Sequence, residues 1–278
     1  MTLATNQLLH AAIEQASSEC DDDAYWSALD ALKEEPMHEV WELLVPLASN
    51  DSPRLRCLVP DVLRSVPTHA PALLEPTMSL LVSRLSVEQS PTVIASILHA
   101  FAELEHPDRV EPALALLQHP DAEVRYGAVH ALLGARSPAV AQALMRATTD
   151  EDERVRDWAT FELGVQFGDA DDPHRDDVPG LVDALHARLT DPHDDTRCEA
   201  MVGLARRGDR RVLPVLLEHI EAGADFSMVL GAARELAAPE LVEPLRTLLA
   251  TGDEDERTFW QENGIHEAIA ACAAARHE

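Results

Sequence analysis

The sequence predicts an all-α chain of about eight stacked helix pairs. One phrase occurs three times, as HPDAEVRYGAVHALLG (119–134), DEDERVRDWATFELG (150–164) and DPHDDTRCEAMVGLA (191–205). In the first copy, apolar residues recur at the three- and four-residue steps of one helix face. Glycine contributes only 11 residues and aromatic residues only 4% of the chain. This composition, in which Leu and Ala dominate, argues against β-sheets.

The repeat is numbered from an anchor residue, which is Val124 in the first copy quoted above. The equivalent anchors are Ala24, Leu55, Val93, Val124, Val155, Thr196 and Met228, with Gly264 in a less regular eighth copy. A near-constant period is typical of a solenoid in which neighbouring repeats stack. We therefore expect a single repeat domain over residues 1–278, with insertions near 65–71 and 165–178.

One helix of each pair begins just before the anchor. Most repeats carry Asp or Ser three residues earlier, and these side chains accept hydrogen bonds from free N–H groups at a helix start. The residues are Asp21, Ser52, Ser90, Asp121, Asp152, His193 and Asp225. Eight residues after the anchor the repeats carry a predicted core ladder of Leu32, Leu63, Phe101, Leu132, Leu163, Leu204 and Leu236.

A second set of apolar segments lies between these helices. The segments are 6–18, 38–49, 70–85, 109–119, 139–150, 177–191, 211–222 and 240–251. We expect the internal prolines Pro46, Pro112, Pro214 and Pro244 to bend the helices that carry them. The two sets together predict eight antiparallel pairs joined by short turns.

The phrase D-x-x-V-R-x-x-A-x-x-A-L, from Asp121 to Leu132, resembles HEAT-like repeats of the phycobilisome-lyase type. The resemblance covers roughly residues 20 to 275. It implies a right-handed α-solenoid whose V-R-x-x-A helices line the concave face. It also implies that the two residues after the Arg position, and the residue two before the Leu, point into that face. Proteins similar in this fold include bilin lyase subunits, deoxyhypusine hydroxylase, alkylation-repeat DNA glycosylases and bacterial adaptors, so the resemblance leaves the function open.

These register positions supply the candidate partner-binding residues. They are Trp26, Asp30, Asp61, His99, Tyr126, His130, Asp157, Trp158 and Glu199. Aromatic side chains often carry much of the binding energy of an interface, and carboxylates would pair with Lys or Arg of a partner. The alternative for the rings is packing between repeats. Both roles remain open for Trp158, whereas Phe161 fits the core role better.

The charge of the chain favours a basic protein partner. Lys and Arg number 22 against 50 Asp and Glu, which gives a net charge of −28. Nucleic-acid binding requires cations that neutralise phosphate, and an anionic membrane surface is disfavoured for the same reason. High acidity also serves solubility alone. We therefore expect a basic protein partner, no nucleic acid and no membrane, while the oligomeric state stays open.

The cysteines predict a cytoplasmic protein with reduced thiols. Cys20, Cys57, Cys198 and Cys272 are far apart and form no CxxC pair, which disfavours a disulfide framework or a zinc site. The N-terminus has no basic region followed by a long apolar run, so we expect no signal peptide.

Four arginines follow the anchors as a ladder, Arg56, Arg125, Arg156 and Arg197. An anion-binding stripe is one interpretation. Each arginine, however, follows a turn rich in Asp and Glu, and a guanidinium fork suits a carboxylate of the adjacent repeat. The ladder therefore predicts structural ion pairs.

Enzyme and metal interpretations have weaker support. His99 and His130 occupy equivalent positions in adjacent repeats, but no tight metal-binding spacing accompanies them, so we expect neither a metal nor a cofactor. Only His266-Glu267 matches the paired ligands of deoxyhypusine hydroxylase. The acidic segment 165–178 lacks the glycine and glutamate of a calcium loop. No GxSxG, GxxxxGK[ST] or GxGxxG motif is present.

The sequence thus predicts a non-catalytic scaffold or adaptor that holds a basic partner protein on an acidic concave face. A more specific alternative is an immunity-type inhibitor of a basic toxin. A further alternative is an enzyme of the bilin-lyase or alkylation-repeat DNA glycosylase kind, for which Asp157 and Trp158 are suitable residue types. That enzyme would also need a tetrapyrrole pocket or a basic track, and the sequence indicates neither.

Overall fold

The computed structural model describes residues 3–17, 22–167, 178–223 and 226–275, in which helices account for all regular secondary structure. The chain divides into two compact units, Met1–Ala135 and Arg136–Glu278. The acidic residues of the larger predicted insertion, and the predicted N-caps Asp21 and Asp225, lie outside the described residues.

The N-terminal unit contains four helix pairs in chain order. They are α1 (Leu3–Ser17) with α2 (Asp22–Lys33), α3 (Met37–Leu44) with α4 (Pro53–Leu63), α6 (Leu74–Leu85) with α7 (Pro91–Leu104), and α8 (Val110–Leu116) with α9 (Ala122–Ala131). A short helix, α5 (Val66–His69), lies in the connector predicted near 65–71. Helix α4 packs against α7, and α7 packs against α9. The second helix of each pair therefore forms an inner row.

The C-terminal unit contains the other four pairs. They are α10 (Pro138–Ala147) with α11 (Glu153–Phe161), α12 (Leu181–Arg188) with α13 (Asp194–Arg206), α14 (Leu213–Ala222) with α15 (Phe226–Leu236), and α16 (Val242–Thr251) with α18 (Ile265–Ala274). An additional helix, α17 (Glu254–Glu262), precedes α18. Helices α11, α13, α15 and α18 pack in sequence as an inner row. The predicted fold class, all-α with eight HEAT-like helix pairs, is confirmed.

The core ladder has the predicted register. Leu32, Leu63, Phe101 and Leu132 are fully buried in the N-terminal unit. Leu163 and Leu204 are fully buried in the C-terminal unit, whereas Leu236 is partly exposed. Burying such side chains contributes about 1.5–3 kcal/mol each to folding, and the ladder therefore fixes which face of every inner helix is hidden.

The prolines of the outer helices act at helix starts. Pro46 begins a 3₁₀ turn, Val45–Ser49, that follows α3. Pro112, Pro214 and Pro244 each lie in the first turn of an α-helix that follows a short 3₁₀ segment. A first-turn proline loses no hydrogen bond, because its N–H would have no intrahelical partner. Each of these prolines therefore lies close to a change of helix type.

Two predicted N-caps differ from expectation in their hydrogen bonding. Asp121 and Asp152 accept from backbone N–H groups in the first turns of α9 and α11. Ser52 and Ser90 occupy the N-cap position, but neither side chain forms a cap bond, and proline follows both. Since proline has already removed one of the free N–H groups, the hydroxyl has fewer donors to satisfy.

The arginine ladder stabilises the turns before the inner helices. In all four members, Nη1 donates to two carbonyl oxygens of the preceding turn. Arg56 also forms two 2.8 Å bonds with Glu88 of the next repeat, and Arg156 forms bonds of 3.0 and 3.2 Å with Asp191. The prediction of ion pairs between repeats is confirmed at these two positions. Arg197 pairs instead with Asp194 of its own helix.

Helix α11 continues into a π-helical turn, Glu162–Gln166, that the sequence did not predict. Gly164 in this turn lies against Gly203 of α13. A Cβ added to Gly203 would lie 2.5 Å from the Gly164 Cα, so the two helices approach too closely for a side chain there. Arg207 donates to the carbonyl oxygens of Leu163 and Gly164. The Arg207 guanidinium thereby provides hydrogen-bond donors for two carbonyl oxygens of the π-helical turn.

Candidate functional site

One register position lies on an accessible face in the seven regular repeats. It is the position two residues before the core ladder residue, which is Leu or Phe. In the N-terminal unit these residues are Asp30, Asp61, His99 and His130, and in the C-terminal unit they are Phe161, Val202 and Arg234; none is buried. The two positions after the Arg register are less uniform. Cys57, Ala95 and Leu230 are buried there, which corrects the expectation that these positions point into a binding face throughout. Leu230 belongs to the buried core, whereas Cys57 and Ala95 are largely covered but still line a pocket.

A pocket of about 620 Å³ opens on the inner row of the N-terminal unit. Helices α2, α4 and α7 contribute Tyr25, Trp26, Asp61, Arg64, Ser96 and His99 to its lining, and the other charged lining residues are Arg54, Asp121 and Glu123. The side chains of Ala16, Cys57 and Ala95 supply apolar wall. Three of the predicted residues, Trp26, Asp61 and His99, thus line one cavity.

Asp61 is held by two hydroxyl groups. Tyr25 Oη donates to Asp61 Oδ2 at 2.7 Å, and Ser96 Oγ donates to Asp61 Oδ1 at 2.6 Å. Burial raises the pKa of the Asp61 carboxyl, against the opposing effect of these bonds and of the Arg64 charge. Burial and the adjacent carboxylate also raise the pKa of Tyr25, so Tyr25 remains a protonated donor.

Trp26 is the most accessible ring of the pocket, with 38% of its surface exposed. The Arg64 guanidinium lies 5.0 Å from the ring centroid, and Lys33 Nζ lies at 6.0 Å. Lys33 also pairs with Asp30 at 2.8 Å. The predicted residue Asp30 is therefore paired with Lys33 of its own helix. The Trp26 ring is held by cation–π contacts with Arg64 and Lys33.

His99, Tyr126 and His130 form a cluster of rings. The ring centroids of Tyr126 and His130 are 4.5 Å apart, and those of His99 and His130 are 5.3 Å apart. Burial lowers the pKa of both histidines, and the pKa of His130 reaches about 4. Both imidazoles are consequently neutral at pH 7, so they act as hydrogen-bonding and stacking groups rather than as cations.

Metal ligation finds no support in these side chains. Among the residues that the structure describes, no three His, Cys, Asp or Glu side chains are grouped suitably for a metal ion. Burial raises the pKa of the Cys57 thiol to about 12, so the thiolate needed for ligation or nucleophilic attack is scarce at pH 7.

A second patch lies on the inner row of the C-terminal unit. Burial raises the pKa of Asp157 and raises the pKa of Glu199 to about 7, and the neighbouring carboxylates Asp157 and Asp195 add to the effect on Glu199. Asp157 accepts from Thr196 Oγ1 at 3.4 Å. Glu199 Oε2 is buried without a hydrogen-bond partner in the described part of the chain. The patch therefore concentrates negative charge that surrounding groups neutralise incompletely.

The rings of this second patch contact each other. Trp158 and Phe161 meet edge to face, with centroids 5.5 Å apart, and both side chains are partly exposed. Phe161 was expected in the core and is instead on the accessible face of the inner row. Trp158 is half-buried beside it, a position compatible with packing and with partner contact.

Tyr25, Arg64 and Ser96 were not among the predicted site residues. Tyr25 occupies the register position that carries arginine in four repeats, and this departure from the ladder is a sequence signal for a different role. Arg64 follows the core residue Leu63, at the end of α4. Its orientation depends on how α4 lies beside α2, which the repeat pattern does not specify.

Residues 78–164 match the family model of HEAT repeats. The protein YibA from Escherichia coli K12 is 27% identical over 150 residues, which are 54% of this chain and 51% of YibA. The matched part thus spans about half the length of that curated relative. No helix in the described ranges combines the length and apolarity needed to cross a membrane.

Solved structures agree on the fold. The crystal structure of Escherichia coli YibA aligns with a TM-score of 0.72 at 19% identity, over 98% of this chain and 97% of that chain. Kap121p bound to Nup53p aligns with a TM-score of 0.59 at 15% identity, over 97% of this chain and 33% of that chain. At these identities the similarity concerns the helical-repeat fold.

Proposed function

We propose that this chain is a non-catalytic scaffold that binds a basic segment of a partner protein through the inner row of its C-terminal unit. The main support for this proposal is the patch formed by Asp157, Trp158 and Glu199. No described residue donates a hydrogen bond to Glu199 Oε2, and burial together with nearby carboxylates raises the pKa of the Glu199 side chain to about 7. The side chains of Asp157, Trp158 and Glu199 are partly exposed, so a Lys or Arg side chain of a partner would supply the opposite charge.

The aromatic side chains beside these carboxylates support the same role. Trp158 and Phe161 are partly exposed and in mutual contact, so they offer a rigid apolar surface next to the charge. Interfaces commonly combine such an aromatic anchor with surrounding charged pairs that select the partner. Kap121p, which has this type of fold, is described in complex with the protein Nup53p.

A pull-down with the full chain tests the proposal. We expect capture of a stoichiometric basic protein at low salt that weakens as salt rises, because exposed charge pairs are screened. The double variant Asp157→Ala/Trp158→Ala should abolish capture and leave the helical circular-dichroism spectrum intact. The matched control is Phe259→Ala/Glu262→Ala, which removes an exposed aromatic residue and a nearby carboxylate from α17.

A defined basic probe makes the test independent of the partner's identity. A lysine-rich peptide should bind the wild-type chain more tightly at pH 8 than at pH 6, because the pKa of Glu199 lies at about 7 and protonation removes its charge. The Glu199→Gln variant should lose this pH dependence. Equal capture by the wild type and by the Asp157→Ala/Trp158→Ala variant would refute the assignment of the site.

A further inference from the structure

We propose that the pocket of the N-terminal unit binds a carboxylate carried on an apolar or aromatic body, and that Arg64 is its anion-binding group. Arg64 lines the pocket and contacts the Trp26 ring at 5.0 Å. Within the described parts of the chain it forms neither a hydrogen bond nor an ion pair. Arg56, on the same helix, uses its fork on Glu88.

The charge of Arg64 acts at the centre of the pocket. It opposes the increase in the pKa of Tyr25 and of Asp61, and it contributes to the lowered pKa of His99. The guanidinium is thus electrostatically close to three residues that line the cavity. A planar guanidinium held against an indole ring is oriented in advance for the two parallel hydrogen bonds that a carboxylate accepts.

Asp61 does not occupy this guanidinium. Its two oxygens accept from Tyr25 and Ser96 at 2.7 and 2.6 Å, and no salt bridge joins it to Arg64. The two hydroxyl bonds and the Arg64 charge stabilise the ionised carboxylate, against the effect of burial on its pKa. Asp61 therefore orients the two hydroxyl groups, while no acceptor among the described residues occupies the donors of Arg64.

The remaining lining defines the ligand class. The rings of Tyr25 and Trp26 and the apolar side chains of Ala16 and Ala95 surround the charged group, and a volume of about 620 Å³ suits a small molecule or a terminal side chain. Glu123 also contributes to the lining, which disfavours ligands with several negative charges. A single carboxylate on an aromatic or aliphatic body fits best, either as a free organic acid or as the C-terminus of a peptide.

Matched probes test this chemistry by calorimetry and by NMR of the Trp26 indole N–H. N-acetylphenylalanine and its carboxamide differ only in the carboxylate. The acid should bind in the millimolar range, as expected for a ligand of this size, and about tenfold or more tightly than the amide. The peptide Ser-Gly-Gly-Phe, with a free or an amidated C-terminus, distinguishes a peptide terminus from a free acid as the natural source.

The Arg64→Gln variant should bind acid and amide equally weakly. Arg246→Gln provides the matched control, because Arg246 is an exposed arginine on α16 of the other unit. If Arg64→Gln does not fold, Arg64→Lys keeps the charge without the fork and should retain only part of the preference. Equal binding of acid and amide to the wild type, binding of neither, or a preference retained in Arg64→Gln would overturn the proposal.

The outcome is separable from that of the proposed scaffold function. The Asp157→Ala/Trp158→Ala variant alters the C-terminal unit and should bind N-acetylphenylalanine like the wild type. Loss of acid binding in that variant would contradict the assignment to the N-terminal pocket. Conversely, capture of a basic partner by Arg64→Gln would leave the scaffold function in place whatever the probes show.

Discussion

Asp61 in the N-terminal unit and Glu199 in the C-terminal unit are carboxylates on inner helices whose pKa is raised by burial. The two differ in their partners. Asp61 accepts short bonds from Tyr25 and Ser96. In contrast, no described residue donates to one oxygen of Glu199, and the charges of Asp157 and Asp195 further raise the pKa of Glu199. A partly buried carboxylate can therefore organise a pocket in one repeat and remain incompletely neutralised in another.

This difference explains why each unit is assigned a different ligand. Where hydroxyl groups satisfy the carboxylate, no described residue accepts a hydrogen bond from the nearby Arg64, and the proposed ligand is an anion. Where carboxylates face one another, a cation is the complement. The two proposals thus assign ligands of opposite charge to one type of repeat, although the whole chain carries a net charge of −28.

The largest effect is expected from removing a donor to Asp61. Tyr25→Phe deletes the 2.7 Å bond while it keeps the ring, and a hydrogen bond to a charged group contributes about 1.5–3 kcal/mol. We expect the free energy of unfolding at pH 7 to fall by about 2 kcal/mol, measured by urea denaturation. Trp41→Phe, which removes the 3.1 Å bond to Thr77, is a neutral-acceptor control that should cost less. An equal or larger loss in the control would contradict the special role of Asp61.

Glu199→Gln should raise the free energy of unfolding, in contrast to Tyr25→Phe. The folded state binds the Glu199 proton more tightly than the unfolded state, since the pKa is about 7 rather than 4.5. The stability that Glu199 contributes is therefore complete below about pH 4.5 and is lost as pH rises through 7. At pH 8 the variant should be more stable than the wild type by about 1–2 kcal/mol, after allowance for partial exposure. Glu221→Gln, at an exposed position on α14, should leave the pH profile unchanged.

If Glu199→Gln were less stable than the wild type at pH 8, the contrast drawn between Asp61 and Glu199 would be wrong. It would mean that Glu199 has a partner which the ionised form requires. The comparison would also weaken if the difference between variant and wild type stayed constant from pH 5 to pH 8, because the linkage of stability to protonation predicts a difference that grows with pH.

The fold followed from the sequence because the repeat imposes one constraint many times. The apolar ladder at Leu63, Phe101 and Leu132 fixes the buried face of each inner helix, and all three residues are fully buried. Helix α17 was not among the predicted helices. Asp253 and Glu256 in fact form a capping box, and the D-x-x-E spacing that signals it is present in the sequence.

The site was only partly accessible from the sequence. Trp26, Asp61 and His99 were predicted from register and do line one pocket. Tyr25 and Arg64 were not, since their role depends on hydrogen bonds and ring contacts between helices rather than on position within one helix. The pKa of Glu199 likewise depends on burial and on side chains from a neighbouring helix, which no single repeat contains.

The smallest effect tests the two units at one register position. Gly127 and Gly231 each lie three residues after the anchor. A Cβ at Gly127 would lie 3.1 Å from Leu98 Cβ and 3.3 Å from the Ala95 carbonyl oxygen, whereas a Cβ at Gly231 meets nothing within 4 Å. Alanine in a helix interior gains about 0.5–1 kcal/mol over glycine. Gly231→Ala should therefore stabilise the chain by that amount. The change in the free energy of unfolding for Gly127→Ala should be less favourable than that for Gly231→Ala by about 1 kcal/mol or more, because the new Cβ forces α7 to move away. Equal stabilisation by the two variants in thermal unfolding would show that α7 and α9 pack less tightly than the distances indicate.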